Sequence, residues 1–311
     1  MHVAMNKRIF LLFCGILYCL TGMGQELVKA PLLENVKIAF VSYKTGSAEV
    51  YLMNSDGSDV EQITNSPENN SFPYQIDART LGFIRRDSLR NMTDYQIDIY
   101  TKEEEPLARE PSRPDAEWDE TSPDGRYIAF VRSTDYSDRE LFIYNTELQQ
   151  EIRITNNSDE GFAALSFGYS WSANGKKLLF MSGVDWYNQV MQVYDVETEK
   201  IRTVTARGYM NSGVKWLKDN ENVIANLKIR DETLYELYNV NTTTGEVTQL
   251  TTDINLHPNV SPDGEWVVFE SQRHNNDGEV YVMRKDGSDQ IRLTNNNDYN
   301  GRATWFELEK N

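Results

Sequence analysis

An all-β fold, a six-bladed propeller of four-stranded antiparallel blades, is predicted by three observations. One unit recurs six times along the chain, turn-forming residues punctuate the copies, and the first copy lacks a strand that the C-terminus supplies. The clearest copy is Val260–Thr294, VSPDGEWVVFESQRHNNDGEVYVMRKDGSDQIRLT. Most of it returns at Val36–Thr64, VKIAFVSYKTGSAEVYLMNSDGSDVEQIT. Self-similarity at this period marks a repeat architecture in which each unit is one supersecondary element.

The second strand of each unit is anchored by Phe40, Phe83, Phe130, Phe180, Ala225 and Phe269. Steps between anchors run from 43 residues (Phe40 to Phe83) to 50 (Phe130 to Phe180), room for four short strands and their turns. The alignment gives every third strand a tyrosine: Tyr51, Tyr100, Tyr144, Tyr194, Tyr238 and Tyr281. These six are expected at equivalent, mostly buried positions. Five units end in threonine (Thr64, Thr155, Thr205, Thr251, Thr294), and the second, ending near Glu103–Glu105, is degenerate. A first strand opens nine residues before the anchor, at Tyr74, Thr121, Trp171, Trp216 and Val260.

Ser122–Gly125 and Ser261–Gly264 (SPDG) place Pro and Gly for a tight turn between first and second strands. Asp56-Gly57 and Asp286-Gly287 are hairpin signals between third and fourth strands. No window sustains the 3.6-residue period of a helix. The first unit starts directly at Val36, so Arg302–Phe306 is expected to complete it and close the ring, removing exposed sheet edges. The blades are then 36–64 with 302–306, 72–110, 118–155, 169–205, 214–251 and 258–294.

Residues 1–24 read as a secretory signal peptide: Lys7 and Arg8, the apolar run Ile9–Leu20, then Gly22 and Gly24 before cleavage. The run is too short to span a bilayer comfortably. Residues 25–35 form a lead-in, and the mature chain is expected in the periplasm or outside the cell, without membrane insertion and as a monomer. Cys14 and Cys19 both fall in the leader, leaving no thiolate nucleophile or ligand. Loss of Lys7 and Arg8 takes the net charge from −17 to −19, a surface that repels phosphate backbones and argues against nucleic acid.

The pattern W-SPDG-x-IAF-…-YVM-x-DG-…-LT resembles the TolB-type propeller repeat (PD40, or WD40-like) over residues 36–306. The resemblance implies six blades and a scaffold-like role in the cell envelope. TolB carries a separate α/β domain before its propeller, whereas residues 25–35 precede the first strand here. Only the fold and the scaffold role are therefore carried over. Similar repeats occur in peptidase propellers and oligogalacturonate lyases, which makes a polysaccharide-acting enzyme the rival expectation.

No catalytic constellation is evident. Gly168-Tyr169-Ser170-Trp171-Ser172 misses the final glycine of a nucleophile elbow and sits where a first strand starts. No cofactor or metal is expected: His257 and His274 are the histidines outside the leader, and with Gln272 they make a poor version of the lyases' cluster. The rival enzyme, lyase-like, would use His257, His274 and Arg273 in a metal-assisted site at the channel mouth. Asn296, Asp298, Asn300 and Glu307 have the spacing of a calcium loop, but an extended 302–306 carries Glu307 out of reach. Partial coordination by Asp298 and Asn300 stays open.

Long loops at 65–72, 87–94, 156–167, 185–189, 273–278 and 295–301 share one face, and recognition is expected there rather than at the tight turns. Trp118, His257 and Arg302 should lie near the channel mouth. The candidate binding residues are Trp186, Tyr187, His257, Arg273, His274 and Arg302, with Arg85 and Arg86 as cations that join them if they converge. The expected partner is a protein or a glycan.

Overall fold

The computed structural model describes residues 29–107, 118–132, 139–155, 163–164, 169–183, 189–205, 209–229, 234–274 and 277–310. Blade one holds β1 (Val36–Ser42), β2 (Glu49–Asn54) and β3 (Glu61–Gln62). Blade two is β4 (Asn69–Gln75), β5 (Thr80–Arg86), β6 (Met92–Asp98) and β7 (Glu104–Pro106). Blade three is β8 (Trp118–Thr121), β9 (Tyr127–Arg132), β10 (Glu140–Asn145) and β11 (Gln150–Arg153). In blade four, a first strand split into β12 (Ala163–Ala164) and β13 (Ser170–Trp171) precedes β14 (Lys177–Gly183), β15 (Gln189–Asp195) and β16 (Lys200–Thr203). Blade five is β17 (Tyr209–Trp216), β18 (Asn222–Ile229), β19 (Glu236–Asn241) and β20 (Val247–Gln249). Blade six is β21 (Asn255–Val260), β22 (Trp266–Ser271), β23 (Glu279–Arg284) and β24 (Ile291–Arg292).

The last strand, β25 (Asn300–Glu307), returns to blade one and pairs antiparallel with β1, setting Trp305 opposite Ile38. The sheet order β25-β1-β2-β3 closes the ring as the repeat alignment requires. Among the described residues there is no helix. Apolar clusters fill the blade interfaces; Ile38, Met53, Val268, Val282 and Trp305, for example, lie between blades six and one.

Cross-strand pairing shows which repeat positions are equivalent. Phe40 faces Tyr51, Phe83 faces Tyr95, Phe130 faces Phe142, Phe180 faces Gln192, Ala225 faces Tyr238 and Phe269 faces Tyr281. The second-strand anchors are thus aligned correctly, whereas the tyrosine series is right only for Tyr51, Tyr238 and Tyr281. Tyr144 and Tyr194 lie two residues further along their strands, opposite Ile128 and Leu178. Tyr100 follows the end of β6 and is 60% exposed. Blade two is also one residue shorter at its first turn, so Gln75, not Tyr74, occupies the first-strand position, opposite Leu81. Aromatic spacing misplaces these residues because strand pairing, with its period of two, fixes which face a side chain occupies.

The repeated threonines tie the fourth-strand end to the third strand. Their hydroxyls accept the amide N–H of Val50, Leu141, Met191, Leu237 and Val280 at 2.9, 2.9, 3.0, 2.9 and 2.9 Å. A glutamate opening the third strand extends the tie. Buried Glu49 accepts from the Thr64 hydroxyl at 2.5 Å and, across the blade boundary, from Asn70 Nδ2 at 2.8 Å.

First-strand tryptophans join neighbouring blades through their indole N–H groups. Trp171 donates to Glu120 O at 2.9 Å, Trp216 to Ser170 O at 2.8 Å and Trp305 to Asn259 O at 2.9 Å. Gln75 does the same for blade two, donating to Glu307 O at 2.7 Å. Each ring thereby satisfies a carbonyl at the blade boundary while burying a large apolar surface.

Candidate functional site at the channel mouth

The first strands are not regular. Pairing with the second strand slips between Ser71 and Tyr74, between Asn211 and Gly213, between Leu256 and Asn259, and opposite Ala39–Val41. In three of these bulges a non-glycine residue has positive φ: Phe72 (53°), His257 (53°) and Arg302 (50°). Each such residue costs on the order of 1–3 kcal/mol, strain that surrounding structure must offset and that gathers at functional sites. Proline follows two of them, Pro73 and Pro258, where a bulge has no ladder bond to lose. A bulge re-aims the side chain. All three line the same two cavities.

They separate two spaces. Above lies a cavity of about 710 Å³ at the long-loop mouth, lined from blades six, one and two. Below lies a channel space of about 400 Å³ that also touches Tyr74, Lys215, Asn259 and Thr304. Phe72, His257 and Arg302 line both. The Arg302 guanidinium lies over the Phe72 ring, 3.9 Å from its centroid.

Behind this neck sits Glu270, whose side chain is 2% exposed. One oxygen, Oε2, takes the Tyr299 hydroxyl at 2.8 Å, His257 Nδ1 at 3.2 Å and the Arg302 amide at 3.3 Å. Two glycines make room for the carboxylate. A Cβ on Gly301 would fall 2.2 Å from Oε2, and one on Gly278 2.9 Å from Oε1. Burial works to raise the Glu270 pKa, but the bonds and charge supplied by His257, Tyr299 and Arg302 outweigh it and hold the carboxyl below its ordinary range. Burial and the adjacent Glu270 charge push the Tyr299 hydroxyl strongly up, so it stays a donor.

Residues 162–311 match the family model of the TolB beta propeller domain. The fold of the chain is that of a TolB-like β-propeller. It superposes on the crystal structure of TolB from Acinetobacter baumannii with TM-score 0.62 at 21% identity, covering 87% of this chain and 66% of that one. A protein assigned to TolB from Agrobacterium tumefaciens aligns with TM-score 0.56 at 16% identity, over 86% of this chain and 90% of the other. At these identities the likeness is one of fold. The TolB-like propeller spans just under two thirds of the Acinetobacter baumannii chain.

Within the TolB-like propeller, His257, Arg302 and Arg86 come together at the mouth cavity. Arg273 and His274 do not join them. Arg273 is held by Ser271, Gln290 and Asn255 and lies over Tyr281, 4.8 Å from the ring centroid. The His274 ring also lies against Tyr281, at 6.1 Å. Arg85 is clamped by both oxygens of Glu104 at 2.8 Å, so the cations converge only in part. Trp186 and Tyr187 lie outside the described residues. In the calcium-like loop, Asn296 Oδ1 accepts from Asp298 N at 2.9 Å and Asn300 Nδ2 at 2.7 Å, so the loop is closed by its own amides. Among the described residues, no three His, Cys, Asp or Glu side chains group as metal ligands.

Sequence reasoning missed Phe72, Glu270 and Tyr299. Glu270 had a signal: an acid directly after the anchor in the otherwise apolar run Trp266–Phe269. A carboxylate placed there is buried and must find partners.

Proposed function

We propose that this TolB-like propeller is an exported, non-catalytic scaffold of the cell envelope that holds a protein or glycan partner on its long-loop face. The observation that carries the reading is the cavity of about 710 Å³ whose neck consists of three strained bulge residues from three blades. Strain of this kind gathers at functional sites, and Phe72, His257 and Arg302 all serve one concave space. Export rests on the leader-like residues 1–24. The lyase-like reading needs His257, His274 and Arg273 together, and only His257 lines the cavity.

A photo-crosslinking residue in place of Met92, 61% exposed beside the cavity, is compared with one in place of Val60, 54% exposed in a hairpin turn of the opposite face. Irradiated cells should yield an adduct from position 92 and none from position 60. Adducts from position 60 alone, or equally from both, would sink the assignment of the face. Fractionation of the same cells tests export: the protein should leave the cytoplasm and lose its leader.

A further inference from the structure

Resting on the mouth cavity as the binding site, we propose that its occupant is the free C-terminus of a partner polypeptide ending in an aliphatic residue. The charges point to a carboxylate. Arg302 Nη1 is buried and has no hydrogen-bond partner. Neither Arg302 nor Arg86 forms an ion pair among the described residues, although Arg85, adjacent in sequence, is fully engaged by Glu104. Arg302 is half-buried, with its guanidinium beside the Tyr299 hydroxyl and over the Phe72 ring, and a planar carboxylate matches the geometry of such a fork. The Phe72 ring fixes the plane of the Arg302 fork. Glu270 Oε2 is committed to three donors, and Glu270 pairs with His257 rather than with the Arg302 guanidinium.

The walls point to an aliphatic side chain. Val41, Ile84, Met92 and Leu256 line the same cavity as the two arginines. Exposed apolar side chains gather there too: Tyr43 (45%), Phe72 (45%) and Met92 (61%), with Leu89 (80%) in the loop that leads into Met92. Apolar side chains gathered around one cavity mark an interaction site. One C-terminal residue presents a carboxylate and an apolar side chain from the same carbon, and it enters end-on. The neck of Phe72, His257 and Arg302 forms the floor that a chain end would meet.

The molecule as a whole selects against a polyanion. Its net charge is −17, and Asp277 and Asp298 also line the cavity. A run of uronate carboxylates would meet that field along its length, whereas one terminal carboxylate can be placed beside Arg302 and Arg86 with a single charge to accommodate.

The test uses the purified protein and short fluorescein-labelled peptides ending in Leu, Val or Ile, each as free acid and as C-terminal amide, with polygalacturonate as the alternative carboxylate source. Free acids should bind, and amidation should weaken binding about tenfold or more by anisotropy. Arg302→Met and Arg86→Met should each erase the difference between acid and amide. Arg86 is exposed, so its variant reads out even if Arg302→Met disturbs the neck. Equal binding of acid and amide, binding of polygalacturonate alone, or no binding by any free acid overturns the proposal. Equal acid and amide binding alongside an adduct from position 92 removes only the C-terminal assignment and leaves the cavity as the site. An adduct from position 60 alone removes both.

Discussion

Replacing Trp305 with alanine tests whether the C-terminal strand is a structural member of blade one or a tail laid against it. Trp305 is 6% exposed and packs between blades six and one. A buried indole removes roughly 150–250 Å² from water, about 4–6 kcal/mol at roughly 25 cal/mol per Å² taken as an upper bound. Measured Trp→Ala changes in cores lie at about 3–5 kcal/mol. The indole N–H also satisfies Asn259 O at 2.9 Å, a part-buried acceptor whose loss costs about 1 kcal/mol more. The expected destabilisation is therefore about 4–5 kcal/mol, a large share of the roughly 5–15 kcal/mol that holds a domain together. Equilibrium urea unfolding followed by far-ultraviolet circular dichroism measures it. Trp305→Phe keeps most of the apolar area and should cost only about 1–2 kcal/mol. Trp216→Ala is the internal standard, since Trp216 makes the same bond to Ser170 O in mid-ring. Should Trp305→Ala cost under about 1 kcal/mol while Trp216→Ala costs several, ring closure by β25 is wrong.

Two further outcomes follow from buried hydrogen bonds. Thr251→Val keeps the side-chain volume but leaves the Leu237 amide without its acceptor at 2.9 Å, and should lower stability by about 1–3 kcal/mol in the same urea assay, with Thr251→Ser recovering much of it. Glu270 has a folded-state pKa below its ordinary 4.5, so the folded protein holds the charged form more tightly than the unfolded chain does. The stability it contributes is present above pH 4.5 and is lost as pH falls through the lower folded value. The difference in melting temperature between the wild type and Glu270→Gln should be greatest near neutrality and shrink below pH 4.5; a difference that widens on acidification would contradict the bonding described.

The sequence by itself determined the number of blades, their second-strand anchors, the threonine ends and the closing strand. Each recurs at a fixed place in a repeat, and a repeat reports what every blade needs for its own pairing and packing. The tertiary structure decided everything that belongs to one blade alone. Tyr100 has the right residue type at the wrong register, because pairing rather than spacing assigns faces. His257 and Arg302 were legible as channel-mouth residues by their offset from the first-strand anchor, but Phe72 was not, since blade two is a residue shorter there. Glu270 lies 29 residues before Tyr299, and it meets Tyr299 and Gly301 only when β25 returns beside β22. Arg85 and Arg86 are neighbours in sequence, yet alternation along β5 gives one to Glu104 and the other to the cavity. A strand pattern records which residues alternate; only the closed ring fixes what each of them faces.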